Sequence, residues 1–428
     1  MNNLTLTILS WSQRAISIGG ALLLMRLVSK CHGDEGVVFV GVTSAISGWI
    51  GMFDLGSFNV SSQLVSRHFR SGRWRSLTAF FSLGIGVLAM FIMVIAVLLW
   101  VFLGPGWPAV LLRRADSSWL TLFFVASAIG VGGALGWRWR LAQGNPHRVI
   151  VSQIVAQVIG VCTAVIYLTS HGDRADLGIS ALLAIVPQLF VQQGYLWSAV
   201  GEQGSKFLGV FKGIDSRVRG ILMRRHAKSA LLSVVCMIIH QSDVLVVAAM
   251  ADQGAALAGY ILASKVFFSF VPLVTASLQS HAPALTRLWS DRDVSGMRMV
   301  VIQVLVANVV AASIFTLCMA TQRTWIFPLL APGSTVIPSV TLLILFGVYI
   351  VLRVWTDLWA QILLGASDFW SNIAIAGVQA VLTMFFMILL VPSCGGNGAI
   401  LALIVGFLCT ASWFLPWRVA RQLGRLPF

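Results

Sequence analysis

The stretch LLLMRLVSKCHGDEGVVFVGVTSAISGWIGMFDLG, residues 22–56, contains two apolar runs separated by the polar hexapeptide CHGDEG. The runs belong to apolar segments at 5–29 and 36–57. Each segment is long enough to cross roughly 30 Å of hydrocarbon as an α-helix, which needs about 20 residues. The stretch therefore predicts two transmembrane helices joined by a short turn outside the membrane.

The same pattern of long apolar segments and short polar turns continues along all 428 residues. The composition is 58% hydrophobic and only 10% charged, which is far from that of a soluble globular protein. The chain is thus predicted to be an all-α integral membrane protein with about twelve transmembrane helices. The predicted spans are 5–29, 36–57, 77–102, 117–137, 149–168, 177–200, 229–250, 253–277, 299–319, 336–364, 369–391 and 398–417.

The positive charge is distributed unevenly between the loops. If the N-terminus is cytoplasmic, 20 of the 29 Lys and Arg residues fall on the cytoplasmic side and five fall outside. This asymmetry predicts cytoplasmic N- and C-termini, and it makes the arginines of 67–75 a topological anchor. The net charge of +15 is accounted for in this way, so nucleic acid is not predicted as a partner.

The six cysteines are scattered and lie mostly within predicted spans. None of them forms a CxxC pair or a Cys/His spacing typical of a metal site. The sequence therefore predicts no metal centre.

A weak internal repeat divides the chain near its middle. At an offset of 218 residues, DEGVVFVGVTSA at 34–45 aligns with DQGAALAGYILA at 252–263. The repeat predicts two pseudo-symmetric six-helix bundles, 1–201 and 229–428, around a central cavity. A basic cytoplasmic linker, 202–228, is expected to join them as a loop. Because six is even, the pseudo-symmetry axis should run along the bilayer normal.

Ionisable side chains within the spans are the best functional pointers, because each costs at least about 2.5–3.5 kcal/mol at the membrane centre. Basic residues predominate, and arginine suits phosphate because its planar fork donates two parallel hydrogen bonds. We therefore expect a hydrated cationic cavity that binds a phosphate- or carboxylate-bearing substrate. The predicted substrate-binding residues are Arg14, Arg26, Lys265 and Arg353, and the candidates for ion coupling or a structural role are Asp54, His240, Asp243 and Asp357.

Simpler interpretations exist for several of these residues. Arg26 could extend to the membrane surface, and Arg353 and Asp357 could neutralise each other on one helix face. His240 could be a hydrogen-bonded interior histidine. Asp54 could cap a helix or pair with a cytoplasmic arginine.

The chain resembles the polysaccharide and O-antigen flippases of the multidrug/oligosaccharidyl-lipid/polysaccharide (MOP) exporter superfamily, whose fold is MATE-like. The resemblance covers the twelve-span topology, residues 22–56 and the basic loop after the second span. Within it, Arg26 lies in the first helix, Gly33 and Gly36 in the turn, and the motif Asp54-Leu55-Gly56 at the end of the second helix. The continuation GSFNVSS at 56–62 departs from the family pattern.

The resemblance implies a flippase, not an enzyme, in the bacterial inner membrane. Its cargo would be an anionic undecaprenyl-pyrophosphate-linked oligosaccharide for O-antigen, capsule or exopolysaccharide biosynthesis, moved by alternating access. The polysaccharide polymerase and the chain-length machinery are implied as protein partners. No cofactor is implied, and coupling to H⁺ or Na⁺ through Asp54, Asp243 or Asp357 stays open.

Three alternatives are weighed against this interpretation. A cation-coupled drug or metabolite antiporter of the same superfamily would need acidic residues in the central cavity, whereas the first span carries two arginines and no acid. A membrane polysaccharide polymerase or ligase would need a long outer loop for its chemistry, and the predicted outer loops are short. A peptidoglycan-precursor flippase is expected to have two additional spans.

Overall fold

A computed structural model describes residues 3–52, 90–100, 111, 115–142, 146–213, 216–250, 254–291, 293–365 and 368–422. Within these ranges the chain is almost entirely helical. The helices are α1 (Asn3–Met52), α2 (Met90–Trp100), α3 (Ser117–Ala142), α4 (Pro146–His171), α5 (Leu177–Gly213), α6 (Ser216–Met250), α7 (Ala255–Ser290), α8 (Val294–Thr321), α9 (Arg323–Leu330), α10 (Val340–Gly365), α11 (Phe369–Cys409) and α12 (Ala411–Gln422). A short 3₁₀ helix, Gly172–Arg174, follows α4.

The helices confirm the prediction of an all-α membrane protein. Eight of the described helical segments are long and apolar enough to cross a membrane, and Met90–Trp100 and Ser117–Gly133 are shorter apolar helices. Each of the twelve predicted spans overlaps a described helix. Two helices, α1 and α11, each contain two predicted spans.

Glycine separates the paired spans inside these two long helices. Gly33 in α1 has φ 59° and ψ −140°, and Gly395 in α11 has φ 54° and ψ −133°. Positive φ recurs among the described residues at Gly172 and Gly254. Gly33 and Gly254 each follow the first predicted span of their half of the sequence, and Gly172 and Gly395 each follow the fifth. These four positive-φ glycines thus lie after corresponding predicted spans of the two halves, and the internal repeat itself stays a prediction.

The chain folds as two compact units. The first comprises Met1–His32 and Thr43–Val234, and the second comprises Gly33–Val42 and Val235–Phe428. The predicted bundles, 1–201 and 229–428, stay a prediction, because contacts divide the chain without marking the ends of a linker.

The predicted linker is helical in the structure, and its description as a loop was wrong. Helix α5 continues from the membrane span to Gly213, and α6 begins at Ser216. The segment contains no proline, and its many lysines and arginines are good helix formers. A high local charge ends the membrane span without ending the helix.

The last predicted span, 398–417, was also wrong as a single helix. Thr410, with φ −131° and ψ −90°, interrupts it between α11 and α12. Helix α12 then buries Ala411, Leu415 and Val419, four residues apart, and exposes Trp413 and Trp417 on the other side. This stripe is the amphipathic pattern of a helix with one face on the protein.

Neutral contacts hold the helices of the first unit together. Gly160 of α4 lies so close to α5 that a Cβ atom there would overlap the carbonyl oxygen of Ala184. The side-chain amide of Gln193 in α5 donates a hydrogen bond of 2.7 Å to the carbonyl of Ile129 in α3. Such close approach at small residues is typical of membrane helix packing.

Candidate functional site

The candidate site lies in the second unit, where three spans carry polar side chains at membrane depth. His240 and Asp243 are on α6, Lys265 is on α7, and Arg353 and Asp357 are on α10. All five residues were predicted from the sequence as functional candidates. Four of them take part in the contacts described next, and Lys265 reaches the same group electrostatically.

One face of α10 carries a series of polar groups. Tyr349, Arg353 and Asp357 are spaced four residues apart, so their side chains lie above one another along the helix. The Arg353 Nη1 donates a hydrogen bond of 3.3 Å to the Tyr349 hydroxyl. The Arg353 Nε lies 3.6 Å from Asp357 Oδ2, which is an ion pair at i and i+4. Arg353 and Asp357 therefore form the ion pair that the simpler interpretation of the sequence predicts.

The Tyr349 hydroxyl also connects α10 with α6. It lies 3.1 Å from Nδ1 of His240, within hydrogen-bond distance. Because a phenol both donates and accepts, it can accept from Arg353 while it donates to an unprotonated His240 nitrogen. His240, Tyr349, Arg353 and Asp357 thus form a continuous polar series across two helices.

Asp243 is the deepest acid of the site, with only 1% of its surface exposed. The hydroxyl of Tyr260 on α7 donates a hydrogen bond of 2.5 Å to its Oδ2. The ammonium group of Lys265, five residues after Tyr260, attracts the same carboxylate. A buried acid is tolerated when it is hydrogen-bonded, and the Tyr260 hydroxyl supplies such a bond to Asp243.

Aromatic rings surround these polar groups. The Phe407 ring stacks on His240 at 6.3 Å between centroids and meets Tyr349 edge-on at 5.7 Å. Phe346 lies 5.6 Å from the ring of Tyr260, and Phe268 lies 5.9 Å from that of Tyr349. Rings keep water from the inner part of the series, so the electrostatic interactions there are stronger than in solvent.

Exposure increases along α10 from Tyr349 toward Asp357. Tyr260 and Tyr349 are completely buried, whereas the side chains of Arg353 and Asp357 are 19% and 30% exposed. Arg353 therefore lies between the buried Tyr349 and the more exposed Asp357, and it contacts both.

The remaining predicted residues lie elsewhere. Arg14 and Arg26 are in the part of α1 that belongs to the first unit, where Arg14 is half-buried and Arg26 is exposed. Asp54 lies outside the residues that the structure describes. The structure thus groups two of the four predicted cations, Lys265 and Arg353, within one unit.

Sequence reasoning missed Tyr260 and Tyr349. Tyrosine is rare in this chain, with four residues in 428, and these two lie within predicted spans. Their rarity was a usable signal, and Tyr349 also precedes Arg353 by one helical turn. Among the described residues, no group of three or more His, Cys, Asp or Glu side chains could hold a metal ion.

Comparison with known proteins begins with sequence. The chain matches no family model. It is 23% identical over 432 residues to a "Putative O-antigen export protein" of Yersinia pseudotuberculosis, covering 97% of this chain and 95% of that protein. It is 20% identical to a "Putative O-antigen transporter" of Salmonella typhimurium, covering 95% and 94%.

Solved structures resemble the chain over nearly its whole length. A MOP superfamily transporter from Pyrococcus furiosus aligns with a TM-score of 0.70 at 13% identity, covering 99% of this chain and 96% of that one. The chain has the MOP transporter fold. The inward closed lipid II flippase MurJ aligns with a TM-score of 0.65 at 11% identity, covering 97% of this chain and 87% of MurJ.

These findings confirm the resemblance to MOP exporters that residues 22–56 and the span pattern predict. The relatives and structural neighbours of this chain are named as transporters and flippases rather than as enzymes, which supports the prediction of a transporter. A multidrug MATE transporter in its inward-facing conformation also aligns, with a TM-score of 0.64 at 14% identity over 97% of this chain and 98% of that one. The MOP fold thus hosts both drug transporters and flippases, so the fold alone does not select the cargo.

Proposed function

We propose that this MOP chain is a flippase that moves an undecaprenyl-pyrophosphate-linked oligosaccharide from the inner to the outer leaflet of the bacterial inner membrane. Full-length similarity to proteins named as O-antigen exporters supports this cargo class. An oligosaccharide headgroup cannot cross hydrocarbon unaided, because each desolvated hydroxyl costs several kcal/mol. The transporter supplies the lost solvation.

The observation that carries the proposal is the arrangement of Arg353. Its guanidinium group lies at membrane depth, is only 19% exposed, and is oriented by Tyr349 and Asp357. A pyrophosphate that competes with Asp357 for Arg353 would gain two parallel charge-assisted hydrogen bonds. Lys265, Arg14 and Arg26 are proposed to contribute further positive charge, with alternating access carrying the headgroup across.

Coupling to an ion is proposed to use the carboxylates of the same series. When an anion occupies Arg353, Asp357 loses its partner, and it then favours a proton or Na⁺. A change of charge in the site would also affect the protonation of Asp243, which Lys265 attracts electrostatically. It would affect that of His240, which contacts Tyr349. Asp54 is kept as a coupling candidate on the sequence pattern alone.

Cytoplasmic termini, an inner-membrane location and association with a polysaccharide polymerase and chain-length proteins complete the proposal. Reporter fusions at each terminus would test the orientation. Co-purification of the full chain from a strain that makes O-antigen would test the protein partners.

The decisive experiment measures surface polysaccharide in a strain whose own exporter is deleted and replaced by this chain. Arg353→Ala should reduce the polysaccharide more than tenfold, and Arg353→Lys should keep part of it because the charge remains without the fork. Arg174→Ala, on the exposed 3₁₀ helix, is the matched control and should behave as the unaltered chain. Normal polysaccharide with Arg353→Ala at equal protein levels would refute the proposal.

A cation antiporter is the second candidate, favoured by the MATE neighbours and by the two carboxylates, Asp243 and Asp357, in the site. It predicts proton-dependent dye efflux that Asp357→Asn abolishes. Dye efflux together with failure to restore polysaccharide would select it over the flippase.

A further inference from the structure

A groove of about 550 Å³ lies on the first unit between α4 and α5, and none of the candidate-site residues lines it. Its walls are apolar. Val151, Val155 and Ile159 follow one another at four-residue spacing along α4, and Pro187 and Val191 do so on α5. Val155 is 50% exposed and Ile159 is 48% exposed, so the groove is open along its length.

Contacts between α4 and α5 outside the groove hold the two helices together and so define it. At the far end, Gly160 allows α4 to approach the carbonyl of Ala184 closely. Pro187 has no N–H to donate to the carbonyl of Leu183, one turn before it. The hydroxyl of Thr163 in α4 lies 3.4 Å from that carbonyl, and it lies closer to the carbonyl of Gly160 in its own helix, at 2.9 Å.

A second connection fixes the near end. The hydroxyl groups of Ser152 in α4 and Tyr195 in α5 lie 2.8 Å apart and share a hydrogen bond. Gln188 donates to Gln153 at 3.3 Å on the buried side of the same helix pair. The helices are thus fixed on both sides of the apolar walls, and the groove is a feature of their packing.

A positive side chain and a polar imidazole ring lie where the groove meets the beginning of α4. Arg148 and His147 both line it and are both exposed. Helix α4 starts at Pro146, so the amide groups of its first turn have no helical acceptor. The helix dipole and these amides add to the attraction of an anion beside Arg148.

We propose that this groove binds an anionic phospholipid, with its phosphate at Arg148 and His147 and one acyl chain along Val151, Val155 and Ile159. The charge distribution predicts that the Arg148 end faces the cytoplasm, where the leaflet is rich in anionic lipid. Basic pockets between transmembrane helices on that side are typical sites for such headgroups. The proposal does not depend on the transported cargo.

The apolar walls and the end at Arg148 together favour an anionic phospholipid over other ligands. A soluble anion would contact only Arg148 and His147. It would leave the apolar walls in contact with the acyl chains of other lipids. A zwitterionic lipid would fill the walls but would gain less at the cationic end. A phosphate-bearing lipid with net negative charge satisfies both parts.

The experiment titrates purified full-length protein with phosphatidylglycerol or phosphatidylcholine of identical chains and counts bound lipid by native mass spectrometry. The unaltered chain should retain phosphatidylglycerol preferentially. Arg148→Ala should weaken its binding about fivefold, since one cation near the surface contributes roughly that factor. Arg148→Lys should restore it. Val155→Trp, which fills the groove, should weaken both lipids.

Arg174→Ala, exposed beyond the opposite end of α4, is the matched control and should bind as the unaltered chain does. Millimolar inorganic phosphate should not displace the lipid, and displacement would reduce the site to a simple anion site. Equal binding of the two lipids, or an unchanged affinity in Arg148→Ala, would overturn the proposal. Displacement by equimolar polyprenyl phosphate would also overturn it and assign the groove to a carrier lipid.

Discussion

The two units join their spans with different chemistry. In the first, α4 and α5 are connected by neutral groups, such as the Gln188–Gln153 and Ser152–Tyr195 pairs. In the second, α6, α7 and α10 are connected by charged and titratable groups, with Asp243 bonded to Tyr260 and His240 linked through Tyr349 to Arg353. The strength of a neutral contact does not change with protonation or anion binding, whereas that of a charged contact does. The contacts that join these helices of the second unit can therefore change with protonation or anion binding, whereas those between α4 and α5 cannot.

The largest expected effect comes from removing the deepest charge of the second unit. Asp243→Ala takes away the acceptor of Tyr260 and the carboxylate that attracts Lys265. Leaving the buried Tyr260 hydroxyl without this acceptor costs at least about 1–3 kcal/mol of stability. Thermal unfolding in detergent should show a clear fall in Tm. Asp243→Asn keeps an acceptor for Tyr260, so it is the control and its Tm should fall less. An unchanged Tm in Asp243→Ala would show that this contact does not stabilise the second unit.

The next effect tests the neutral packing of the first unit. Gly160→Val places side-chain atoms against the carbonyl of Ala184, and overpacking of this kind costs about 1–3 kcal/mol. The same thermal assay should record the loss at every pH. Gly194→Ala on α5 is the control, because a Cβ there meets nothing within 4 Å. Equal stability of the two variants would show that α4 and α5 do not need the close approach.

A third prediction concerns a charged group at the membrane surface of the second unit. Asp368 caps α11 by accepting from the Ser371 amide, and it accepts from Arg418 Nε at 3.0 Å. Partial burial raises the pKa of this carboxyl, but the hydrogen bonds from Ser371 and Arg418 outweigh it, and the pKa falls below its ordinary value of 3.8. Its stabilising effect is thus complete above about pH 3.8 and is lost as the pH falls through the lower value in the folded state.

Asp368→Asn should accordingly lower stability by about 1–2 kcal/mol at neutral pH. The difference between the variant and the unaltered chain should shrink in strong acid, as measured by unfolding at several pH values. Asp173→Asn, an exposed acid on the 3₁₀ helix, is the control. A constant difference down to strong acid would contradict the assignment.

The smallest expected effect comes from removing the Tyr349 hydroxyl, which links His240 to Arg353 in the second unit. Tyr349→Phe keeps the ring against Phe407 and removes only the hydroxyl shared by His240 and Arg353. The loss of one such bond is worth roughly 0.5–1.5 kcal/mol, so transport should fall about two- to tenfold. Its pH dependence should also change if the hydroxyl links the two residues. Tyr195→Phe, in the first unit, should leave that pH dependence unchanged.

Hydropathy was sufficient to locate every predicted span on a helix, because the membrane imposes a minimum apolar length. It could not show that spans 1 and 2 join at Gly33 within α1, or that Thr410 interrupts the last span. Both depend on backbone dihedral angles, and an apolar profile does not record them. The helical linker was missed for a related reason, since charge marks the end of a span but not the end of a helix.

The site was predictable residue by residue but not as an arrangement. The cost of burying charge identified His240, Asp243, Lys265, Arg353 and Asp357. Only the pair on a single helix, Arg353 and Asp357, could be inferred from spacing. The link from His240 to Arg353 needs the register of α6 against α10, which no local pattern supplies, and it runs through the unpredicted Tyr349.

Gly33 and Gly395 share a backbone geometry that is the mirror image of polyproline II, since inverting the signs of their angles gives values close to that conformation. An L-residue with a side chain is strained there, whereas a D-residue fits without strain. The ribosome supplies no such residue, so glycine is the one encoded choice that takes this geometry without strain. Chemical ligation could place D-alanine at either turn and stiffen it while leaving its shape intact.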